Sequence, residues 1–234
     1  MDQAVSHRRA RTRGANPVLY WVVRALVELP IRFYFRTARL GREHIPAHGP
    51  AIIAANHRSF IDPWVIGTMA RRPVYYVAKS ELFANPVIAR LITALGAFPV
   101  RRGEGDGEAI QTARQLLESG QLVLIFPEGT RTRPGPLGVP RRGVARLALE
   151  TGAPVIPLAI IGTDAVRRGL ILRPRRIRAR AGLPLRLPRV PEASPALAAA
   201  ALEHIWRRVE LQWEWLGGQP RRQQATDPRP ARVG

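Results

Sequence analysis

From residue 41 onward the chain alternates short apolar runs with longer segments of helical period, and this restricts its fold more than any other feature. Runs at 51–55, 74–78, 97–100, 122–126, 155–161 and 177–181 read as strands. Segments at 63–71, 83–95, 107–119, 142–151 and 195–216 read as helices. Strands that alternate with helices predict an α/β fold with a mostly parallel central sheet flanked by helices. The 234 residues suit one medium domain with a substantial core. No internal repeat is present.

Polar clusters follow the ends of these strands. His57 comes after the first, Lys79 after the second, Arg101 and Arg102 after the third, and Glu128 to Arg131 after the fourth. Ligands of open α/β sheets bind outside the carboxyl ends of the strands. If the strands are parallel, these clusters converge on one edge.

The first cluster, Asn56-His57-Arg58-Ser59-Phe60-Ile61-Asp62-Pro63, offers a titratable base and a carboxylate. His57 is the candidate general base. Asp62 can hold its imidazole in one tautomer, or it can cap the helix that Pro63 opens. Ser59 lacks the setting of a nucleophile elbow and reads as a turn residue. In Phe126-Pro127-Glu128-Gly129-Thr130-Arg131, Arg131 can pair bidentately with a phosphate. Gly129 lets backbone approach closely, and Thr130 can donate its hydroxyl. Glu128 would repel phosphate, so orientation of Arg131 or of a substrate hydroxyl is its expected task. Together these groups suit transfer chemistry on an anionic substrate.

The net charge of +20 comes almost wholly from arginine, and it favours anionic partners. Nine arginines and no acidic residue lie between Arg167 and Arg189. Such a run is either solvated surface or a contact for anionic lipid. No nucleic-acid module and no aromatic-basic stacking platform is present, so no nucleic acid is expected, and a non-catalytic protein that binds nucleic acid or an anionic surface is the remote alternative. The absence of cysteine excludes disulfides and thiolate chemistry.

Residues 1–16 are polar and basic and read as a disordered tail without the apolar stretch of a secretory signal. Residues 217–234 read likewise. Residues 17–40 form an N-terminal helical segment, strongly apolar but with Arg24, Glu28 and Arg32 at a helical spacing of four. Pro30 is expected to kink or break it. A spanning helix needs roughly 20 mostly apolar residues. These charges favour an amphipathic element in the membrane interface, anchored by its aromatics, or one packed on the protein's own core.

The spacing H-x-x-x-x-D, followed about seventy residues later by F-P-E-G-T-R, resembles the glycerolipid acyltransferases, and most closely the 1-acylglycerol-3-phosphate acyltransferases. Gly96-Ala97-Phe98-Pro99-Val100-Arg101-Arg102 and Val155-Ile156-Pro157 resemble two further blocks of that family, in the family's order. The resemblance covers residues 17–185, and it implies an acyltransferase domain over 41–216. His57 and Asp62 would be catalytic. Arg101 or Arg102, with Glu128, Gly129, Thr130 and Arg131, would serve the acceptor. The implied reaction moves an acyl group from acyl-CoA or acyl carrier protein to the sn-2 hydroxyl of lysophosphatidate, giving phosphatidate. Glycerol 3-phosphate or another lysolipid, including amino-lipid acceptors, is the alternative acceptor. No metal and no resident cofactor is implied. The expected site of action is the cytoplasmic face of the membrane, held peripherally or monotopically at an anionic surface.

His44 and His48 have zinc-site spacing, but Pro46 and Gly49 oppose a helix there, and no Glu follows the first histidine. Gly103, Gly105 and Gly107 read as a flexible loop, and Trp206, Trp213 and Trp215 as core or interface packing residues of the last helix.

Overall fold

Strand and helix positions follow the sequence periodicity through most of the chain. The computed structural model describes residues 3–12, 14–100, 107–132, 134–168 and 171–219. The chain opens with α1 (Gln3–Thr12) and α2 (Pro17–Leu29), followed by β1 (Ala38–Leu40) and β2 (Ala51–Ala55). Next come α3 (Asp62–Met69), β3 (Val74–Lys79), α4 (Pro86–Ala94), β4 (Ala97–Val100), α5 (Gly107–Glu118) and β5 (Leu122–Ile125). The remainder is α6 (Gly143–Thr151), β6 (Val155–Ile161), the short β7 (Arg167–Arg168) and β8 (Ile171–Leu172), β9 (Arg178–Ala181) and α7 (Pro195–Trp215).

The seven-stranded sheet has the order β1-β9-β6-β2-β5-β3-β4. From β6 to β4 all neighbours are parallel, whereas β9 runs antiparallel to β6 and β1 parallel to β9. Central β2 is buried along its whole length, as a parallel strand covered on both faces must be. Its side chains alternate between two cores. Ile52 and Ala54 join residues of α5, α6 and α7 on one face, and Ala51, Ile53 and Ala55 join α3 and the segment after α2 on the other.

One expectation is corrected here. The basic tail is not disordered over Gln3–Thr12, because α1 buries Ser6, His7 and Ala10 on one face. It packs on α5 and β4, and His7 Nδ1 lies 2.9 Å from Thr112 Oγ1. Its buried face is small and polar, so it carries no apolar period. At Pro30 the α-helix gives way, as expected, and Pro30–Tyr34 continues the segment as a π-helical turn closed by Phe35 N–H donating to Pro30 O. The reading of 217–234 as a frayed tail falls, beyond Gln219, outside the described residues.

The amphipathicity of α2 is turned inside out. Arg24 donates to the carbonyls of Gly67, Thr68 and Ala70 at the end of α3, and Glu28 pairs with Arg39. Arg39 and Arg42 reach the same helix end, where unpaired carbonyls and the helix dipole favour cations. Arg24 and Glu28 thus face the protein, whereas Arg32, beyond the end of α2, is exposed. Val18, Trp21, Val22, Leu26 and Leu29 are exposed on the other side of α2. No helix among the described residues is long and apolar enough to cross a membrane.

A buried carboxylate ties α5 to α6. Glu150 accepts from Arg146 Nε at 2.6 Å and from Arg114, and its backbone carbonyl accepts from Arg189. Burial alone would raise its pKa, but Arg146 and Arg114 outweigh that and hold it below the ordinary glutamate value. A depressed carboxyl contributes stability above its unfolded pKa and loses it as pH falls through the folded value. Glu150→Gln should therefore cost about 1–2 kcal/mol at pH 7. The gap from wild type should narrow once the pH drops below about 4. Urea unfolding across pH checks this, and a pH-independent gap would contradict it.

Candidate active site

His57 sits in the loop that leaves the carboxyl end of β2, and its position is fixed from three directions. Asn56 extends the β2–β6 pairing by its side chain as the backbone turns away. Its Nδ2 donates to Ile160 O at 2.9 Å, and its Oδ1 accepts from Ile160 N–H at 2.8 Å. Glu128 Oε1 accepts from His57 N–H at 3.2 Å. Thr132 N–H donates to His57 O at 2.9 Å, joined by the Thr132 hydroxyl. Turns on two neighbouring parallel strands are thereby tied together.

Asp62 is 0% exposed and is the first residue of α3. Its Oδ2 accepts from His57 Nδ1 at 2.8 Å, from Arg58 N–H at 2.6 Å and from Ser59 N–H at 2.7 Å. The carboxylate reaches back to the loop and makes no side-chain cap of its own helix, so orientation of His57 prevails over the capping alternative. Because a carboxylate only accepts, Nδ1 carries the proton and Nε2 has the free lone pair. The helix N-terminus adds a favourable field for the negative charge. The imidazole stacks on Phe126 with centroids 4.0 Å apart and 17° between planes, which fixes its plane.

His57 opens on a groove above the carboxyl ends of the parallel strands. Phe126, Gly129, Arg131 and Arg141 border it near His57, Lys79 lies at its rim, and Val77, Ile110, Ile125 and Val144 supply apolar walls. Arg131 is exposed and available to an anion. Gly129 has φ +69°, and a β-carbon there would meet Arg141 Nε at 3.0 Å. The glycine admits both the left-handed turn and the close guanidinium. Thr130 is exposed on the same turn. Lys79 is paired with Glu81 at 2.6 Å. Val100, at the end of β4, borders the groove, but Arg101 and Arg102 lie outside the described residues.

Glu128 departs from its expected task. It is 4% exposed, and its second oxygen accepts from Gly138 N–H at 3.2 Å. Both oxygens are committed to backbone, so the residue clamps the two loops and does not face a ligand. Sequence reasoning also gave no role to Asn56, Phe126 or Arg58. Arg58 is buried and donates to the carbonyls of Gly135 at 2.6 Å and Pro136 at 3.0 Å. Its guanidinium lies 4.8 Å from the Trp213 ring centroid. Burial lowers its pKa against the opposing pull of Glu128, Asp164 and Asp62. Only adjacency to the motif residues could have flagged these three.

Asn56→Ala would leave the buried N–H and C=O of Ile160 without these partners. A loss of roughly 2–4 kcal/mol in unfolding free energy is expected. Denaturant titration measures it, and a loss below about 0.5 kcal/mol would remove Asn56 from the support of this loop.

Comparison with known proteins joins this geometry to a family. The acyltransferase family profile matches residues 38–161. The chain is 27% identical over 150 residues to a chloroplastic 1-acyl-sn-glycerol-3-phosphate acyltransferase of Brassica napus, covering 63% of this chain and 43% of that one. It is 35% identical over 126 residues to the 1-acyl-sn-glycerol-3-phosphate acyltransferase of Bacillus subtilis, covering 53% and 62%. It is also 33% identical over 142 residues to the lyso-ornithine lipid O-acyltransferase of Pseudomonas aeruginosa, covering 60% and 52%. The chain thus spans about half the length of these curated relatives. Its fold matches the crystal structure of the 1-acyl-sn-glycerophosphate acyltransferase PlsC from Thermotoga maritima with a TM-score of 0.67 and 24% identity, over 91% of this chain and 83% of that one. With the matched region holding His57, Asp62 and the turn that Glu128 clamps, the chain belongs to the acyltransferase family.

Proposed function

We propose that the protein transfers a fatty acyl group from a thioester, acyl-CoA or acyl carrier protein, to the sn-2 hydroxyl of 1-acylglycerol 3-phosphate. The observation that carries this is the His57–Asp62 pair, with Nε2 left for the groove that Arg131 borders. His57 Nε2 takes the acceptor hydroxyl proton as the oxygen attacks the thioester carbonyl. The tetrahedral intermediate then collapses, the carbon–sulfur bond breaks, and the imidazolium returns its proton to the departing thiolate. Asp62 stabilises that imidazolium and keeps Nδ1 protonated. Arg131 pairs with the acceptor phosphate, Gly129 and Thr130 shape the turn beside it, and Arg101 or Arg102 is the second phosphate contact.

The relatives of Brassica napus and Bacillus subtilis carry the name of this acceptor, which supports it over others. The Pseudomonas aeruginosa relative supports a second reading, a lysolipid whose headgroup lacks phosphate. The outward apolar stripe of α2 supports monotopic docking in the membrane interface, with the cytoplasmic face as the proposed side.

The first test is thiol release from acyl-CoA by detergent-solubilised protein, with and without lysophosphatidate. Acceptor-dependent release is expected. Release only with lyso-ornithine lipid would transfer the assignment to that acceptor. Silence with every acceptor and with carrier-protein donors would overturn acyl transfer. His57→Ala should lower turnover by at least about 10³-fold, and Asp62→Asn by roughly 10²–10⁴-fold through loss of the tautomer. Either variant with near-native turnover would remove it from the mechanism.

Glu128 and Arg131 should separate kinetically. Glu128→Gln forfeits one of two backbone contacts, so kcat should fall while KM for the acceptor changes little. Arg131→Ala should raise that KM roughly 10–100-fold, with partial rescue by Arg131→Lys. A raised KM in Glu128→Gln would restore Glu128 to the acceptor.

A further inference from the structure

The strand directions place a second exposed surface beside the catalytic one. β6 runs parallel to β2, so its end at Ile161 lies on the sheet edge from which His57 emerges. The β7–β8 hairpin follows directly. β9 begins opposite Ile161, at Arg178, and β1, parallel to β9, begins at that edge too. The π-helical turn that precedes β1 is thereby brought against the hairpin. Tyr34 Oη donates to Leu172 O at 2.8 Å, and Ile177 N–H donates to Phe35 O at 3.1 Å.

What these elements present is unusual for a surface. Phe33 is 66% exposed and Ile171 is 69%, with Tyr34 and Leu172 exposed beside them. Two short, unrelated segments thus leave large apolar side chains in water at one place, where burial would favour their removal. Around them, Arg32, Arg36, Arg175, Arg176 and Arg178 are exposed. Among the described residues no ion pair joins any of these arginines to a carboxylate. Asp164 is the one acidic residue between Val155 and Val190. Arg36 also holds φ +44°, the one positive φ outside glycine among the described residues. Such a conformation is costly for a non-glycine residue and needs surrounding structure to hold it.

We infer that the hairpin and the π-helical turn form a docking surface for an anionic bilayer, separate from the apolar stripe of α2. The apolar tips enter the headgroup region, and the arginine collar pairs with lipid phosphates. Charge complementarity commits the surface to this occupant. A nucleic acid would satisfy the arginines but leave Phe33, Ile171 and Leu172 in water, and a protein partner would need carboxylates opposite the collar. The inference deepens the proposed membrane docking and rests on it. It adds a preference for anionic lipid, and it places one rim of the catalytic edge against the headgroups that carry an acceptor phosphate.

The test is co-sedimentation of the full chain with vesicles of phosphatidylcholine, with and without phosphatidylglycerol. Two double variants are compared with wild type, Arg175→Gln/Arg176→Gln and Ile171→Asp/Leu172→Asp. All four positions are exposed, so unchanged thermal melting is expected. The arginine variant should lose about fivefold in partitioning per arginine on anionic vesicles, with neutral vesicles unaffected. The apolar variant should weaken binding to both. Wild-type binding by both variants on anionic vesicles would overturn the inference. So would a short RNA whose binding depends on the same arginines while vesicle binding does not. Turnover on lysophosphatidate in detergent micelles separates this from the catalytic reading. Both variants should keep wild-type micelle turnover, and a loss there would assign the surface to catalysis instead. Sedimentation reads out docking even if no acceptor proves active.

Discussion

The buried Oδ2 of Asp62 is the point on which the site depends. One oxygen holds the His57 ring and the N–H groups of Arg58 and Ser59, so it sets both the tautomer of the imidazole and the path of the loop that carries it. A buried carboxylate is tolerated only when its charge is compensated by hydrogen bonds. Here those bonds come from the loop itself, with the α3 N-terminus adding its dipole. Glu128 repeats the solution one strand away, as a second buried carboxylate satisfied by backbone N–H groups. Two acidic side chains thus replace the regular hydrogen bonding that the chain gives up where it leaves the sheet.

The positive charge of the chain divides into groups with different work. Arg24, Arg39 and Arg42 close the carbonyls at the end of α3, and Arg58 closes those of Gly135 and Pro136. Arg114 and Arg146 answer Glu150. These guanidiniums are structural, and their forked donors suit carbonyls that no backbone N–H reaches. A formal charge of +20 therefore overstates what is offered to a ligand. Part of what remains lies along the groove beside His57 and around the β7–β8 hairpin.

The parallel strands were legible because burial on both faces makes them continuous apolar runs. His57 and Asp62 were legible because their spacing encodes the turn between strand and helix. β1 was not, since three edge residues around Arg39 carry no pattern, and α1 was not, since its buried face is Ser6, His7 and Ala10. The β7–β8 hairpin was hidden in an arginine run whose composition says nothing of pairing. Glu128 and Asn56 show a different limit. Their residue types were visible, but the partners that define their tasks lie 71 and 104 residues away, and only the fold supplies them.

α3 links the chemistry to the N-terminal segment. Its first residue is the carboxylate that orients His57, and its last carbonyls are held by Arg24 of α2. An α-helix of 8 residues is about 12 Å long and stiff, so the outward apolar stripe of α2 stands at a fixed distance from His57. A charged stripe on an interfacial helix would ordinarily face water. Here it faces the protein, and the cost of burying Arg24 and Glu28 is offset by the carbonyls and by Arg39. That arrangement leaves α2 without a polar face of its own. Its outer side presents only apolar side chains, and their distance from His57 follows from the length of one short helix.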